Sequence, residues 1–201
     1  MEIKRTDTEV LILDAARKVF LENGFDGTTM QKIANEARIN KALLHYYFRS
    51  KDKLFEAVFS EVAANLFPAM RQILIAELGV REKITFLVKI YLKGISENPF
   101  IPAFVLNTLN TDPGRFLKYI KKAEISPRML QKQIDEEASL GLIRPIMAEH
   151  LMVNIIAMCI FPFVARPIIQ NIFSMDDQKY SAYLEARETE IVDFVLKSIA
   201  V

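Results

Sequence analysis

Reading a base edge takes hydrogen-bond donors and small apolar groups on one face of a narrow element, and residues 40–51 offer such a set. A helix starting after Asn40 puts Lys41, Ala42 and His45 on one face and Leu44 and Phe48 on another. Lysine donates to guanine O6 and N7, the alanine methyl fits a thymine methyl, and histidine donates to a base edge or a phosphate. Thr29, Tyr47 and Lys51 add a hydroxyl, a phenol and a cation close to helix N-termini, which suits phosphate contacts. Those three would set position rather than sequence.

Total charge gives no support, because the 201-residue chain carries a formal net charge of +1. Its distribution is more informative. Between residues 32 and 53, Lys32, Arg38, Lys41, Arg49, Lys51 and Lys53 face only Glu36 and Asp52. Taken alone, such a run is more often a solvated surface than a nucleic-acid site, so the weight rests on spacing.

Other chemistries find little in the chain. His45 and His150 are the only histidines and neither has a partner at metal-ligand spacing, so no metal is expected. There is no Gly-rich phosphate loop and no nucleophile elbow, which disfavours an enzyme and implies no cofactor. A lipid-binding helical protein and a protein-binding helical module stand as rivals. Cys159 lies in an apolar run and reads as a small buried hydrophobe rather than a sensor thiol. The N-terminus has no apolar stretch of signal-peptide type, and a lone cysteine makes no intrachain disulfide, so a cytoplasmic protein is expected. The longest apolar run, 151–165, contains Asn154 and Pro162 and is shorter than the roughly 20 residues a membrane helix needs. No membrane partner is expected.

The elements that must position these residues are all helical, since periods of three to four recur and no strand alternation persists. Thr6-Asp7-Thr8-Glu9 is a capping box opening a first helix, with Ile12, Ala16, Val19 and Phe20 on one stripe and Asn23-Gly24 as its stop. Thr28 or Thr29 caps a short second helix. Asn40 caps a third, where Ile39 and Leu44 form a hydrophobic staple, and Ser50 caps a longer fourth that Pro68 either kinks or ends. Further helices are expected near 81–96, 99–110, 112–140, 146–172 and 176–199. Tyr46 and Phe48 read as core residues holding the third helix in place. Two short helices joined through residues 36–39 have the spacing of a helix-turn-helix, whose second helix enters the major groove.

The run from Val10 to Phe55, with Ala15-Ala16, Phe20, Gly24-Phe25, Thr28-Thr29, Ile33-Ala34 and Leu44-His45-Tyr46-Tyr47-Phe48 leading to Lys51, resembles the tetracycline-repressor (TetR) family. The resemblance implies an all-α homodimer with a three-helix DNA-binding domain at 1–50 and a helical ligand-binding and dimerisation domain at 51–201. It also implies a transcriptional repressor on a pseudo-palindromic double-stranded operator, released by a small hydrophobic or amphipathic effector. Carried over residue by residue, it places base-edge contacts at Gln31, Lys41, Ala42 and His45, and phosphate contacts at Thr29, Tyr47 and Lys51. Two positions depart from the family pattern. Arg38 stands where a turn glycine is usual, either at positive φ or in a slightly altered turn, with its guanidinium in reach of a phosphate. His45 stands where tyrosine is usual.

The C-terminal part is rich in apolar bulk that serves equally as core, dimer interface or pocket lining. Phe86, Tyr91, Phe104, Met158 and Phe161 are the pocket candidates. His150 is read first as a surface or interface residue beside Glu149 and second as a polar anchor for a ligand. The helix at 146–172 and the last helix, carrying Tyr180, Tyr183, Leu184, Ile191, Phe194, Val195 and Ile199, are expected to form a four-helix dimer interface.

Overall fold

A computed structural model describes residues 6–111 and 113–201, without the side chains at 107, 111, 115 and 116. The described residues form helices and no strand. In chain order these are α1 (Asp7–Asn23), α2 (Met30–Glu36), α3 (Lys41–Tyr47), α4 (Lys51–Ile75), α5 (Val80–Ser96), α6 (Ile101–Thr111), α7 (Pro113–Ala123), α8 (Pro127–Ser139), α9 (Ala148–Val164), α10 (Arg166–Ile172) and α11 (Asp177–Ser198).

Local chemistry fixes the first four starts. The Thr6 hydroxyl accepts from the Glu9 amide at 3.3 Å while the Glu9 carboxylate accepts from the Thr6 amide at 2.9 Å, closing the capping box. Thr29, Asn40 and Ser50 each accept from the amide three residues on. Thr28, the other candidate cap, is buried instead, and its hydroxyl donates to the Val19 and Gly24 carbonyls, which ties the end of α1 to the start of α2. Gly24 ends α1 at φ 67°, a conformation that costs glycine little.

Ile12, Leu13, Ala16, Val19 and Phe20 of α1 pack with Ile33, Ala34, Leu44, Leu54, Phe55 and Val58 in one core. That core runs without a break from the first three helices into the rest of the chain. Its bridge is aromatic. Phe104 stacks on Phe55 at 3.8 Å between centroids, Phe25 lies 5.2 Å from Phe104, and Phe100 lies 5.9 Å from Phe20. Such pairs add to the burial of the rings themselves.

Three expectations change. Pro68 neither ends nor divides α4, which continues to Ile75. The helix expected at 112–140 is two helices, because Glu124 turns left-handed at φ 53° and Pro127 keeps Ser126 extended; residue 112 lies outside the described residues. The helix expected at 146–172 is also two, α9 and α10, at 74° to each other. Pro167 has no amide hydrogen to offer the Phe163 carbonyl, so the helical ladder stops there.

Pro162 leaves a second gap inside α9 by withholding the hydrogen that the Met158 carbonyl would accept, and Arg187 of α11 fills it from 3.2 Å. Tyr180 donates its hydroxyl to the Pro162 carbonyl at 2.5 Å, so α11 is keyed to the proline-weakened end of α9. On α11, Tyr180, Ile191, Val195 and Ile199 are buried within the protomer, which corrects their expected place in a dimer interface. Around these last helices, Val153, Phe161 and Val164 of α9, Ile168 and Ile172 of α10, Phe173 after it, and Phe194 of α11 are left exposed. Among the described residues no single helix is long and apolar enough to cross a membrane.

Candidate nucleic-acid interface

The turn between α2 and α3 is a left-handed C-cap built on Arg38. Its φ is 54°, its amide donates to the Asn35 carbonyl at 3.1 Å, and the next amide, Ile39, donates to Ala34 at 3.0 Å. That pair of bonds is the Schellman arrangement, in which glycine is the usual residue. Arginine therefore occupies a glycine conformation without altering the turn. The reverse turn then delivers Asn40 as the cap of α3, whose side-chain oxygen accepts from the Leu43 amide at 2.7 Å.

On the seven-residue α3, Leu44 is fully buried, and Tyr47, with Phe48 just after the helix, packs against the core. Lys41, Ala42, His45 and Tyr46 are exposed on the opposite side. Tyr46 is 80% exposed, which corrects the expectation that it packs in the core; only Phe48 does so. Positions 42 and 46 are one turn apart, as are 41 and 45, so the four make two adjacent rows on one face. Tyr46 also meets Tyr47 edge to face at 5.3 Å. Sequence reasoning missed Tyr46 on this face because it weighed the ring's apolarity above its register with Ala42.

His45 Nδ1 lies 3.4 Å from the Arg49 carbonyl. A carbonyl only accepts, so in this contact Nδ1 is the donor.

The positioning residues are more constrained. Gln31 donates to Asn35 at 2.9 Å, and the Thr29 hydroxyl is engaged as the α2 cap. Lys32 is turned inward onto Asn23 and the Gly27 carbonyl, at 2.6 and 2.9 Å. Lys51 is half-buried. Its ammonium donates to the Phe25 carbonyl at 2.8 Å and lies 4.2 Å from the centre of the Phe25 ring. Arg38, Lys41 and Arg49 are exposed, and no hydrogen bond or ion pair is seen for their side chains among the described residues. Cations left without carboxylates around one helix face make a field that attracts phosphate.

The family model for bacterial regulatory proteins of the tetR family matches residues 12–58, the span that holds this turn and both of its helices. Residues 12–58 are thus similar to the DNA-binding part of tetR-family regulators. It is 34% identical over 86 residues to the HTH-type transcriptional repressor NicS of Pseudomonas putida, a match covering 41% of each chain. It is 47% identical over 45 residues to the biofilm operon negative regulator IcaR of Staphylococcus aureus, covering 22% of this chain and 24% of that one. The chain thus spans less than half the length of the curated relatives it matches. The whole fold is shared with the ketosteroid regulator KstR2 of Mycobacterium tuberculosis, with a TM-score of 0.70, 18% identity, and 98% and 97% of the two chains covered. It is likewise shared with FadR of Bacillus subtilis in complex with stearoyl-CoA, with a TM-score of 0.62, 15% identity, and 93% and 97% covered.

In the C-terminal part, the six residues expected around a pocket do not come together. Tyr91 alone among them lines an apolar cavity between α4, α5, α6 and α9, with Phe59, Phe67, Ile95, Ile101, Val105 and Ile160. Phe104 belongs to the aromatic bridge. Phe161 is 62% exposed, one position round the helix from Ile160, and Phe86 is 46% exposed. His150 is exposed, and Met158 is half-buried with its carbonyl held by Arg187. The cavity is only about 50 Å³. Behind it, Cys159 is fully buried and burial pushes its thiol up to about 12, with Arg187 pulling weakly the other way. Among the described residues no group of three or more His, Cys, Asp or Glu side chains is placed to hold a metal.

Proposed function

We propose that this chain is a homodimeric transcriptional repressor that reads a pseudo-palindromic operator with α3 and leaves it when a small hydrophobic or amphipathic effector enters the C-terminal helices. The observation that carries this reading is the exposed face of α3, where Lys41, Ala42, His45 and Tyr46 stand together amid unpaired Arg38 and Arg49. Lys41, Ala42 and His45 contact base edges, with Gln31 from α2, while Thr29, Arg38, Tyr47 and Lys51 position the backbone. Tyr46 joins the reading face. Residues up to 50 act as the reading head and residues from 51 onward as the effector and dimer unit, with α4 joining the two.

The exposed apolar side chains on α9, α10 and α11 support a dimer, because an interface between copies would remove them from water. The similarity to the repressor NicS and the negative regulator IcaR supports repression. The stearoyl-CoA complex of FadR supports an effector with a long apolar part. The ring contacts Phe25–Phe55–Phe104 join α4 and α6 to the reading head, so that an effector preferring one arrangement of α4–α6 shifts the spacing of the two heads.

A gel shift with DNA flanking the gene's own coding region tests the reading. The wild type is expected to form one discrete complex that weakens steeply with salt, while Lys41→Ala and His45→Ala lose sequence preference. A confirmed dimer with no preference at moderate salt would contradict it, and salt-insensitive association would point to the protein-binding alternative.

A further inference from the structure

Two openings in the structure share a wall. The apolar cavity and a polar cleft between α1, α4 and α5 both touch Val62, Leu66 and Gly94. A Cβ placed on Gly94 would sit 3.4 Å from Leu66 Cδ1, so the leucine packs on bare backbone and forms the partition between them. The cleft is about 400 Å³, against about 50 Å³ for the cavity. A dry cavity that holds benzene is about 150 Å³, so the apolar space alone takes no ligand of useful size. Most of an effector's volume must lie in the cleft, and its apolar part must move Leu66 to go further.

Chemistry in the cleft favours one kind of head. Asn98 lines it and is 6% exposed; its Nδ2 donates to the Gly94 carbonyl at 3.2 Å, and its Oδ1 has no hydrogen-bond partner. A buried amide oxygen left unpaired is unfavourable, and a ligand donor would remove that cost. Glu61 and Glu97 add two carboxylates, and the Glu61 carboxylate holds Arg17 of α1 at 2.6 Å. A head that donates hydrogen bonds satisfies Asn98 Oδ1 and competes for Glu61, whereas an anionic head offers Asn98 Oδ1 no donor. Arg17 and Lys93 on the same wall balance the two carboxylates, so the choice between heads rests on Asn98.

We infer that the effector is an amphiphile whose head donates hydrogen bonds, seated in this cleft against Asn98 Oδ1 with its apolar part passing Leu66 and Gly94 into the cavity. The assignment rests on the ligand-released reading above and adds the head chemistry and the contact it disturbs. By drawing Glu61 away from Arg17, the head loosens the contact between the first helix of the reading head and α4. Arg17 is the only residue of α1 on the cleft wall, so the DNA-binding unit senses the ligand there.

Isothermal titration of the full chain, without DNA, against n-octanol, n-octylamine and octanoate tests this. The alcohol and the amine are expected to bind and octanoate to bind at least about tenfold more weakly, with Asn98→Ala about tenfold weaker for both donors, as for one buried hydrogen bond. Gly94→Val closes the passage and is expected to abolish octanol binding; if that variant does not fold, the head series and Asn98→Ala decide. Octanoate binding as tightly as octylamine, Asn98→Ala binding like wild type, or no binding of either donor would overturn the inference. Operator binding on the same preparation separates the two claims. Amphiphile binding without operator binding sinks the repressor reading alone, and operator binding without amphiphile binding sinks this one alone.

Discussion

Arg38→Gly is expected to make the protein more stable and a poorer DNA binder, two effects that common causes of mutational damage do not combine. At φ 54° the arginine Cβ crowds the following carbonyl, a cost of roughly 1–2 kcal/mol for an L residue. Glycine removes that cost but gives back about 0.5–1 kcal/mol in chain entropy, leaving a net gain of about 0.5–1 kcal/mol. The Schellman bonds are main-chain bonds and survive the change. For a chain of this size 1 kcal/mol corresponds to about 2–4 °C, so thermal unfolding followed by circular dichroism should show Tm raised by about 1–4 °C. The same substitution deletes one proposed phosphate contact, so the slope of log affinity against log salt should become shallower by about one. A lower Tm would refute the strain argument. An unchanged salt slope would refute the phosphate role and leave Arg38 without a functional reason to occupy a glycine site.

Other perturbations separate reading from folding. Tyr46→Ala should leave Tm unchanged, since the ring is 80% exposed, yet lower operator affinity in fluorescence anisotropy; a fall in Tm with unchanged affinity would mean the ring serves the fold alone. Lys51→Ala should weaken binding to all sequences alike and also cost about 1–2 kcal/mol of stability through its lost bond to the Phe25 carbonyl and ring, checked by urea unfolding. Phe55→Ala should cost about 3–5 kcal/mol, because it removes a fully buried ring at the centre of the aromatic bridge. Cys159 should resist thiol reagents at pH 8 until the protein unfolds. Its folded pKa is raised by burial from 9.0 to about 12, so its contribution to stability is complete below pH 9 and is lost as pH rises from there toward 12, measurable as a falling Tm.

Much of the reading head was legible because its signals are local. A capping box, a staple and an Asn cap each involve residues within five positions of one another, and the structure builds the capping box and the Asn cap where the chain spells them. The positive φ at Arg38 was one of two readings of that turn and is the one adopted. Tyr46 was misread because one apolar ring on a two-turn helix carries no period, and only its register with Ala42 indicates its side. Helix α9 shows the same limit at larger scale. It is apolar all round, so its sequence holds no inward face, and the choice of Ile160 for the cavity and Phe161 for the surface is made by packing on α5, α6 and α11. The breaks at Glu124 and Ala165 were missed although Pro127 and Pro167 both flagged them. Asn98, Arg17 and Glu61 come together across 44 positions or more of chain for the Arg17–Glu61 pair, a distance over which no spacing rule reaches.

The central claim is that two copies of α3 read successive major grooves through Lys41, Ala42, His45 and Tyr46. Selection of bound duplexes from a random pool by the full chain measures this directly. The account predicts an inverted repeat whose half-site centres are about 10 base pairs apart or a multiple of that, with His45→Ala relaxing the preference at matching positions in both halves. Enrichment of no sequence, or of a single asymmetric site that His45→Ala and Lys41→Ala leave unchanged, would contradict it.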